Sequence, residues 1–281
     1  RSDARQGARM ALTVTGGGGL ALLAGILLVG HIVGSFELSA VLASGDLIRA
    51  NALYPLTLIL ILLGVFTKSA QFPFHFWLPQ AMAAPTPVSA FLHSATMVKA
   101  GVFLLARLYP ALSDSEWWFY LVSLTGLATL LIGAVLALFQ HDLKGLLAYS
   151  TISQLGFMML ALGSFGFTAA IFHLVAHAFA KALLFLGAGS ISHGTHNKTD
   201  IREMGGLWRR MPVTAVTFGI GVLALGGIPP LSGFFSKDEV LVAVLDGRNP
   251  VFFILTLAAA LMSALYYRAR TGRGQYIDSS L

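Results

Sequence analysis

Runs of roughly 20 apolar residues, each long enough to cross the ~30 Å hydrocarbon core of a bilayer, recur along the whole of this chain. They cover residues 10–33, 53–71 continuing into a short piece at 73–82, 88–108, 117–139, 143–162, 167–192, 213–228 continuing into 234–245, and 251–267. This pattern predicts an all-α, polytopic membrane protein of about eight transmembrane helices, two of them discontinuous. The longest polar link, residues 193–211, has 19 residues, so no soluble domain fits between spans and residues 1–281 read as one transmembrane domain. Only 11% of the residues are charged, where soluble domains carry about a quarter. Cysteine is absent, which excludes disulfide frameworks, Cys-ligated zinc, iron–sulfur ligation and thiol nucleophiles.

The charges sort by side. Assigning loops alternately to two faces puts Arg1, Arg5, Arg9, Lys144, Lys198, Arg202, Arg209, Arg210, Arg268, Arg270 and Arg273 on one face. The other face holds only Arg49, Arg107 and Arg248. The positive-inside rule then places both ends of the chain in the cytoplasm. Arg209-Arg210 reads as a membrane-surface anchor, not a nucleic-acid patch. The opening residues 1–9 are polar and no small-residue cleavage site follows the first span, so no signal peptide is expected. A chain that opens Arg1-Ser2-Asp3 without an initiator Met reads as a fragment.

Four lysines remain, Lys68, Lys99, Lys181 and Lys237, and all four fall inside apolar segments. A lysine at the bilayer centre costs about 2.5–3.5 kcal/mol on insertion scales. Such residues therefore point to function by default. Desolvation disfavours an ammonium, which lets a buried amine exchange protons near neutral pH. His173, His177 and Lys181 follow at four-residue steps and share one helical stripe. Lysines and histidines joined this way suit a proton relay, and His93 and Lys99 repeat the theme on another helix. Zinc is not expected: a His pair with no Glu between and no Cys lacks a third ligand.

The interruptions add a second signal. Pro73 closely follows Lys68, and Gly226, Gly227, Pro229 and Pro230 interrupt a span just before Lys237. Freed backbone groups survive at membrane depth only where protein or a water-filled cavity satisfies them, and paired broken helices point to a transporter's ion path. Gly16–Gly19 lacks the strand and the Lys-Ser/Thr ending of a phosphate loop and reads as a close helix-packing patch.

Longer motifs now carry a resemblance. Thr67-Lys-Ser-Ala-Gln-Phe-Pro-Phe-His-Phe-Trp-Leu-Pro-Gln-Ala-Met-Ala-Ala-Pro-Thr-Pro-Val-Ser-Ala-Phe-Leu-His-Ser-Ala-Thr-Met-Val-Lys-Ala-Gly101 resembles the proton-antiporter core family. That family comprises the large subunits of Mrp-type Na+/H+ antiporters and the antiporter-like subunits of respiratory complex I. The likeness continues through Asp142-Leu-Lys-Gly-Leu-Leu-Ala-Tyr-Ser-Thr-Ile-Ser-Gln-Leu-Gly156, Ile171-Phe-His-Leu-Val-Ala-His-Ala-Phe-Ala-Lys181 and Pro229-Pro-Leu-Ser-Gly-Phe-Phe-Ser-Lys-Asp-Glu239.

The resemblance implies two inverted five-helix repeats, each with one broken helix. Residues 10–108 would be the remainder of the first and 117–267 the second. It implies that Lys68 is the pumping lysine of the first half-channel and that Lys181 is central, with His173 and His177 beside it. Lys237 would lie at the exit of the second half-channel, Lys144 on the axis, and His93 between the halves. By pattern alone Lys144 sits near the cytoplasmic edge. The glutamate that the family pairs with its first lysine lies on a fifth helix with no match here, so the chain looks N-terminally truncated.

The expected function is a proton/cation-translocating subunit without catalytic chemistry or cofactors of its own, in a bacterial cytoplasmic membrane. Its partners would be protons, Na+, the bilayer and other membrane subunits. His93-Ser-Ala-Thr-Met-Val-Lys-Ala-Gly101 and Asp200-Ile-Arg-Glu-Met-Gly-Gly206 look more like the Mrp large subunit. Gly227-Ile-Pro-Pro-Leu-Ser-Gly-Phe-Phe-Ser-Lys-Asp-Glu239 is closer to the distal complex I subunit. The Mrp type is the leading reading. The alternative is a proton-pumping subunit of NADH:quinone oxidoreductase or a related membrane hydrogenase.

Overall fold

The computed structural model describes residues 2–94, 96–246 and 250–259. Its longer helices are α1 (Ser2–Val33), α2 (Tyr54–Lys68), α3 (Thr86–Ser94), α4 (Met97–Arg107), α5 (Glu116–Leu138), α6 (Leu143–Gly163), α7 (Phe167–Gly194), α8 (Pro212–Gly226), α9 (Ser232–Leu245) and α10 (Pro250–Ala259). Five stretches, Ala4–Val33, Thr86–Arg107, Glu116–Leu138, Leu143–Gly163 and Phe167–Gly194, are long and apolar enough to cross a membrane. Tyr54–Lys68, Pro212–Gly226 and Pro250–Ala259 are apolar but shorter. The span expected at 251–267 is described only as far as Ala259, and Arg1, Arg248, Arg268, Arg270 and Arg273 lie outside the described residues.

Local chemistry sets the helix starts. Ser115 accepts from the Trp118 amide at 3.0 Å and opens α5. Asp142 accepts from the Gly145 amide at 2.6 Å and opens α6. Each cap satisfies an otherwise orphaned donor and contributes about 1 kcal/mol. The polar link after α7 is tied to the same end of the bundle. Leu143 donates to the Thr199 carbonyl and Ile201 to the His141 carbonyl, both at 2.9 Å. Within it the Arg202 guanidinium holds the Asp200 carboxyl at about 2, so this pairing is present above about 4 and is lost as pH falls toward 2.

The core is α6. Its residues from Ser150 to Gly163 are buried, wrapped by α5, α7, α4 and α9. Backbone contact between α5 and α6 is made possible by glycine: a Cβ on Gly126 would lie 2.5 Å from the Leu160 nitrogen, and one on Gly156 2.5 Å from the Leu130 nitrogen. Small residues at such crossings let apolar helices gain dispersion contacts where lipid offers no hydrophobic drive. Gly156→Leu should therefore force the pair apart, costing at least the ~1–3 kcal/mol typical of overpacking. Gly19→Leu, where nothing lies within 4 Å, should be neutral. Thermal unfolding of the two variants in detergent checks this, and equal midpoints would contradict it.

Two expectations need correction and a third is refined. The Gly16–Gly19 patch does not pack as a unit: only Gly18 meets a neighbour, the Thr67 side chain on α2, while Gly16, Gly17 and Gly19 face open space. The span read at 88–108 stands as one apolar stretch, Thr86–Arg107, but it is not straight: at Thr96 a φ of −122° and ψ of −107° leave helical geometry between α3 and α4. Lys68 is not enclosed by its apolar segment. It is the last residue of α2 and only half-buried.

Candidate functional site

Both expected breaks are present. After α2 the chain turns through Phe74–Phe76, Trp77–Gln80 and Ala81–Ala83 in place of a continued helix. The freed groups are met by protein: Trp77 Nε1 donates to the Thr67 carbonyl at 2.9 Å, and the Phe72 amide donates to Thr129 Oγ1 at 2.9 Å. Between α8 and α9, Gly227 adopts a left-handed conformation with φ +79°. A Cβ there would lie 3.1 Å from Lys237 Cδ, so the lysine stem rests against the break. Gly226 is half-buried, and Pro229 and Pro230 are exposed.

The buried polar groups converge on α7. Lys181 is fully buried and its Nζ donates to the Leu147 carbonyl at 3.0 Å and to Ser150 Oγ, both on α6. Two turns away, His173 is held between α6 and α9. Its Nε2 is 2.9 Å from Gln154 Oε1 and its Nδ1 is 2.9 Å from Ser236 Oγ. With both nitrogens hydrogen-bonded, the His173 ring is fixed from α6 and from α9. His177 lies between Lys181 and His173 on the same stripe, 6.0 Å ring to ring from His173. Both its nitrogens are buried without a hydrogen-bond partner among the described residues. Lys99, Lys181, His173 and His93 are its electrostatic neighbours.

The remaining groups surround this line. Lys99, 3% exposed, donates to the Leu174 carbonyl at 3.1 Å and so joins α4 to α7. It also lines an open cleft of about 540 Å³ with Thr96 and Phe103. His93 is fully buried, 4.6 Å from the Phe185 ring. Lys237 is 7% exposed, with its Nζ unpartnered among the described residues. Asp238 and Glu239 are exposed and do not share its buried face. Lys144, the second residue of α6, is half-buried and donates to the Ala84 carbonyl at 3.4 Å. It therefore stands near the edge of the bundle, as the charge pattern suggests. Lys68 is remote from these contacts in sequence and has no described link to them.

Sequence reasoning missed Ser150, Gln154 and Ser236, which hold Lys181 and His173. Lys144, Ser150, Thr151 and Gln154 recur on α6 near helical spacing in an apolar setting, which marks a polar face of that helix but not which of its residues meets a lysine or histidine. From Lys144 to Gln154 is about 15 Å along a helix axis, half a bilayer's hydrocarbon thickness. Among the described residues the three ion pairs, Arg49–Asp46, Lys198–Glu203 and Arg202–Asp200, lie outside this interior.

An apolar helical bundle whose interior carries buried lysines and histidines, three of them on one helical stripe, defines an integral membrane protein with a titratable core. Over residues 1–263 the sequence matches the family described as NADH:quinone oxidoreductase/Mrp antiporter, TM, and the chain belongs to it. It is 54% identical to a probable K(+)/H(+) antiporter subunit of Rhizobium meliloti, over 98% of this chain and 28% of that protein. It is 47% identical to a Na(+)/H(+) antiporter subunit of Alkalihalophilus pseudofirmus, over 87% of this chain and 32% of the relative. It is equally 47% identical to NAD(P)H-quinone oxidoreductase chain 5 of Picosynechococcus sp., over 89% and 39%. The fold superposes on a chain of the Mrp complex from Dietzia sp. with TM-score 0.87 and 41% identity, covering 93% of this chain and 30% of that one. A chain of the membrane-bound sulfane sulfur reductase, an archaeal respiratory membrane complex, gives 0.85 and 29% identity over 95% and 56%. The chain thus spans about a third of the length of the curated relatives it matches.

Proposed function

We propose that this chain is the proton-conducting part of a cation/proton antiporter subunit, working with other membrane subunits in a bacterial inner membrane. Protons pass along Lys181, His177 and His173, with Lys99 and His93 beside the line, Lys237 at one end and Lys144 at the other. Lys68 serves a separate half-channel in the first repeat, residues 10–108, and the line on α7 belongs to the second, residues 117–267. Both ends of the chain face the cytoplasm, the side that the arginines and lysines of the loops favour. The observation that carries this reading is the burial of these groups together: Lys181 and His173 are held by hydrogen bonds to Ser150, Gln154 and Ser236 on α6 and α9, with buried His177 between them on α7. Groups of this kind are costly in a membrane and mark ion paths.

The antiporter reading is preferred to the quinone-oxidoreductase one because the relative that aligns over 98% of this chain bears an antiporter name. Everted vesicles carrying the complete complex test the choice. Addition of K+ or Na+ should dissipate a preformed pH gradient without NADH or quinone. Proton pumping that requires NADH and quinone, with no response to either cation, would favour the oxidoreductase reading.

A further inference from the structure

A second cleft lies where Lys144 meets the start of α3 and the end of α7. It measures about 480 Å³ and is lined by Thr86, Lys144, Ser190, Ser192, His193 and Asn197. Every one of these side chains carries a hydrogen-bond donor, the Ser190 hydroxyl reaching a ligand by turning from the Leu186 carbonyl that it meets at 3.2 Å, and no Asp or Glu is among the lining residues. The polar wall is built from two helix ends. Thr86 opens α3, and Ser190, Ser192 and His193 close α7. Gly189 lets the two meet: a Cβ there would lie 2.7 Å from Thr86 Cγ2.

The cleft is amphipathic along the axis of α7. One turn deeper than Ser190, Leu186 lines the same cleft and is 53% exposed. On the paired α3, Val88 and Phe91 are exposed as well. Donors and a cation at the end of α7, with exposed apolar side chains further along both helices, match a molecule with an anionic head and hydrocarbon tails. A soluble anion would leave the apolar part unused. Basic pockets between transmembrane helices on the cytoplasmic side suit such headgroups, and charge-assisted bonds to phosphate oxygens are the strong ones.

We propose that this cleft binds an anionic phospholipid, its phosphate against Lys144 and the hydroxyls of Ser190 and Ser192, its acyl chains along Leu186, Val88 and Phe91. The proposal uses Lys144 only as a cation on the wall. It stands whether or not Lys144 exchanges protons in the relay.

Two measurements on the full-length protein in its complex test it. Native mass spectrometry should show dioctanoyl phosphatidylglycerol retained at least fivefold better than dioctanoyl phosphatidylcholine. Inorganic phosphate at the same concentration should not displace it. The Ser190→Ala/Ser192→Ala/Asn197→Ala variant should lose at least threefold of that retention with its thermal midpoint unchanged. Equal retention of the two lipids, or displacement by phosphate alone, overturns the proposal. Should the triple variant fold poorly, a photoreactive amino acid at Ser190 in intact membranes decides. A phospholipid adduct supports the site, while an adduct to a neighbouring protein of the complex, or none, overturns it.

Discussion

Lys181→Met in the complete protein is expected to lower proton flux by at least tenfold while the complex still assembles. The ammonium of Lys181 bridges α7 to α6, donating to the Leu147 carbonyl and to Ser150 Oγ. Methionine fills similar volume but carries no proton to pass on. Folding should survive, because the Leu147 carbonyl also accepts from Ser150 Oγ at 2.9 Å and from Thr151 Oγ1 at 2.8 Å. No acceptor is then left bare, and the desolvation cost of an unpaired carbonyl, about 1–3 kcal/mol, is avoided. Lys181→Ala should lose flux equally but adds the cost of a cavity. Arg would keep the charge but does not release its proton in a protein. Assembly of the complex, followed by gel filtration beside vesicle flux, separates the effects. Normal flux with Met at this position would remove Lys181 from the path.

Gly227→Val carries the second large expected effect. The residue adopts φ +79°, which costs a β-branched side chain about 1–2 kcal/mol or more. Its new Cβ would also press on Lys237 Cδ at 3.1 Å. The lysine stem must then shift away from the break to make room for the added methyls, and flux should fall at least fivefold. Gly219→Val, where nothing lies within 4 Å of the added carbon, is the matched control on the same helix and should keep normal flux. Unchanged flux in a folded Gly227→Val protein would mean that the position of Lys237 beside the break does not matter.

What was legible in the sequence follows from which physical signals are local. Apolar runs and the Pro and Gly interruptions are local, so the long helices, the turn after Lys68 and the break before Lys237 were all readable. The bend at Thr96 was not, because Ser94-Ala95-Thr96-Met97 holds neither Pro nor Gly. The stripe His173, His177, Lys181 was readable because a helix repeats every 3.6 residues. Its partners were not. A hydroxyl in an apolar helix commonly bonds back to its own carbonyl three or four residues earlier, as Ser94, Thr129 and Thr151 do. Nothing in the sequence marks Ser150 as the one that also reaches a lysine on another helix. Gln154 and Ser236 become visible as ligands of His173 only when three helices are packed. Lys68 shows the converse: an apolar neighbourhood in sequence did not enclose it, because α2 ends at that residue.

The central claim is that protons cross the buried line through His177, which stands between Lys181 and His173. Its two nitrogens are buried and unpartnered among the described residues, so its removal breaks no hydrogen bond described there. The direct measurement is proton flux through the reconstituted complex bearing His177→Phe, driven by an imposed pH gradient, with thermal stability recorded alongside. The expected result is a loss of at least tenfold at unchanged stability. Full flux through a stable His177→Phe protein would show that protons take another route.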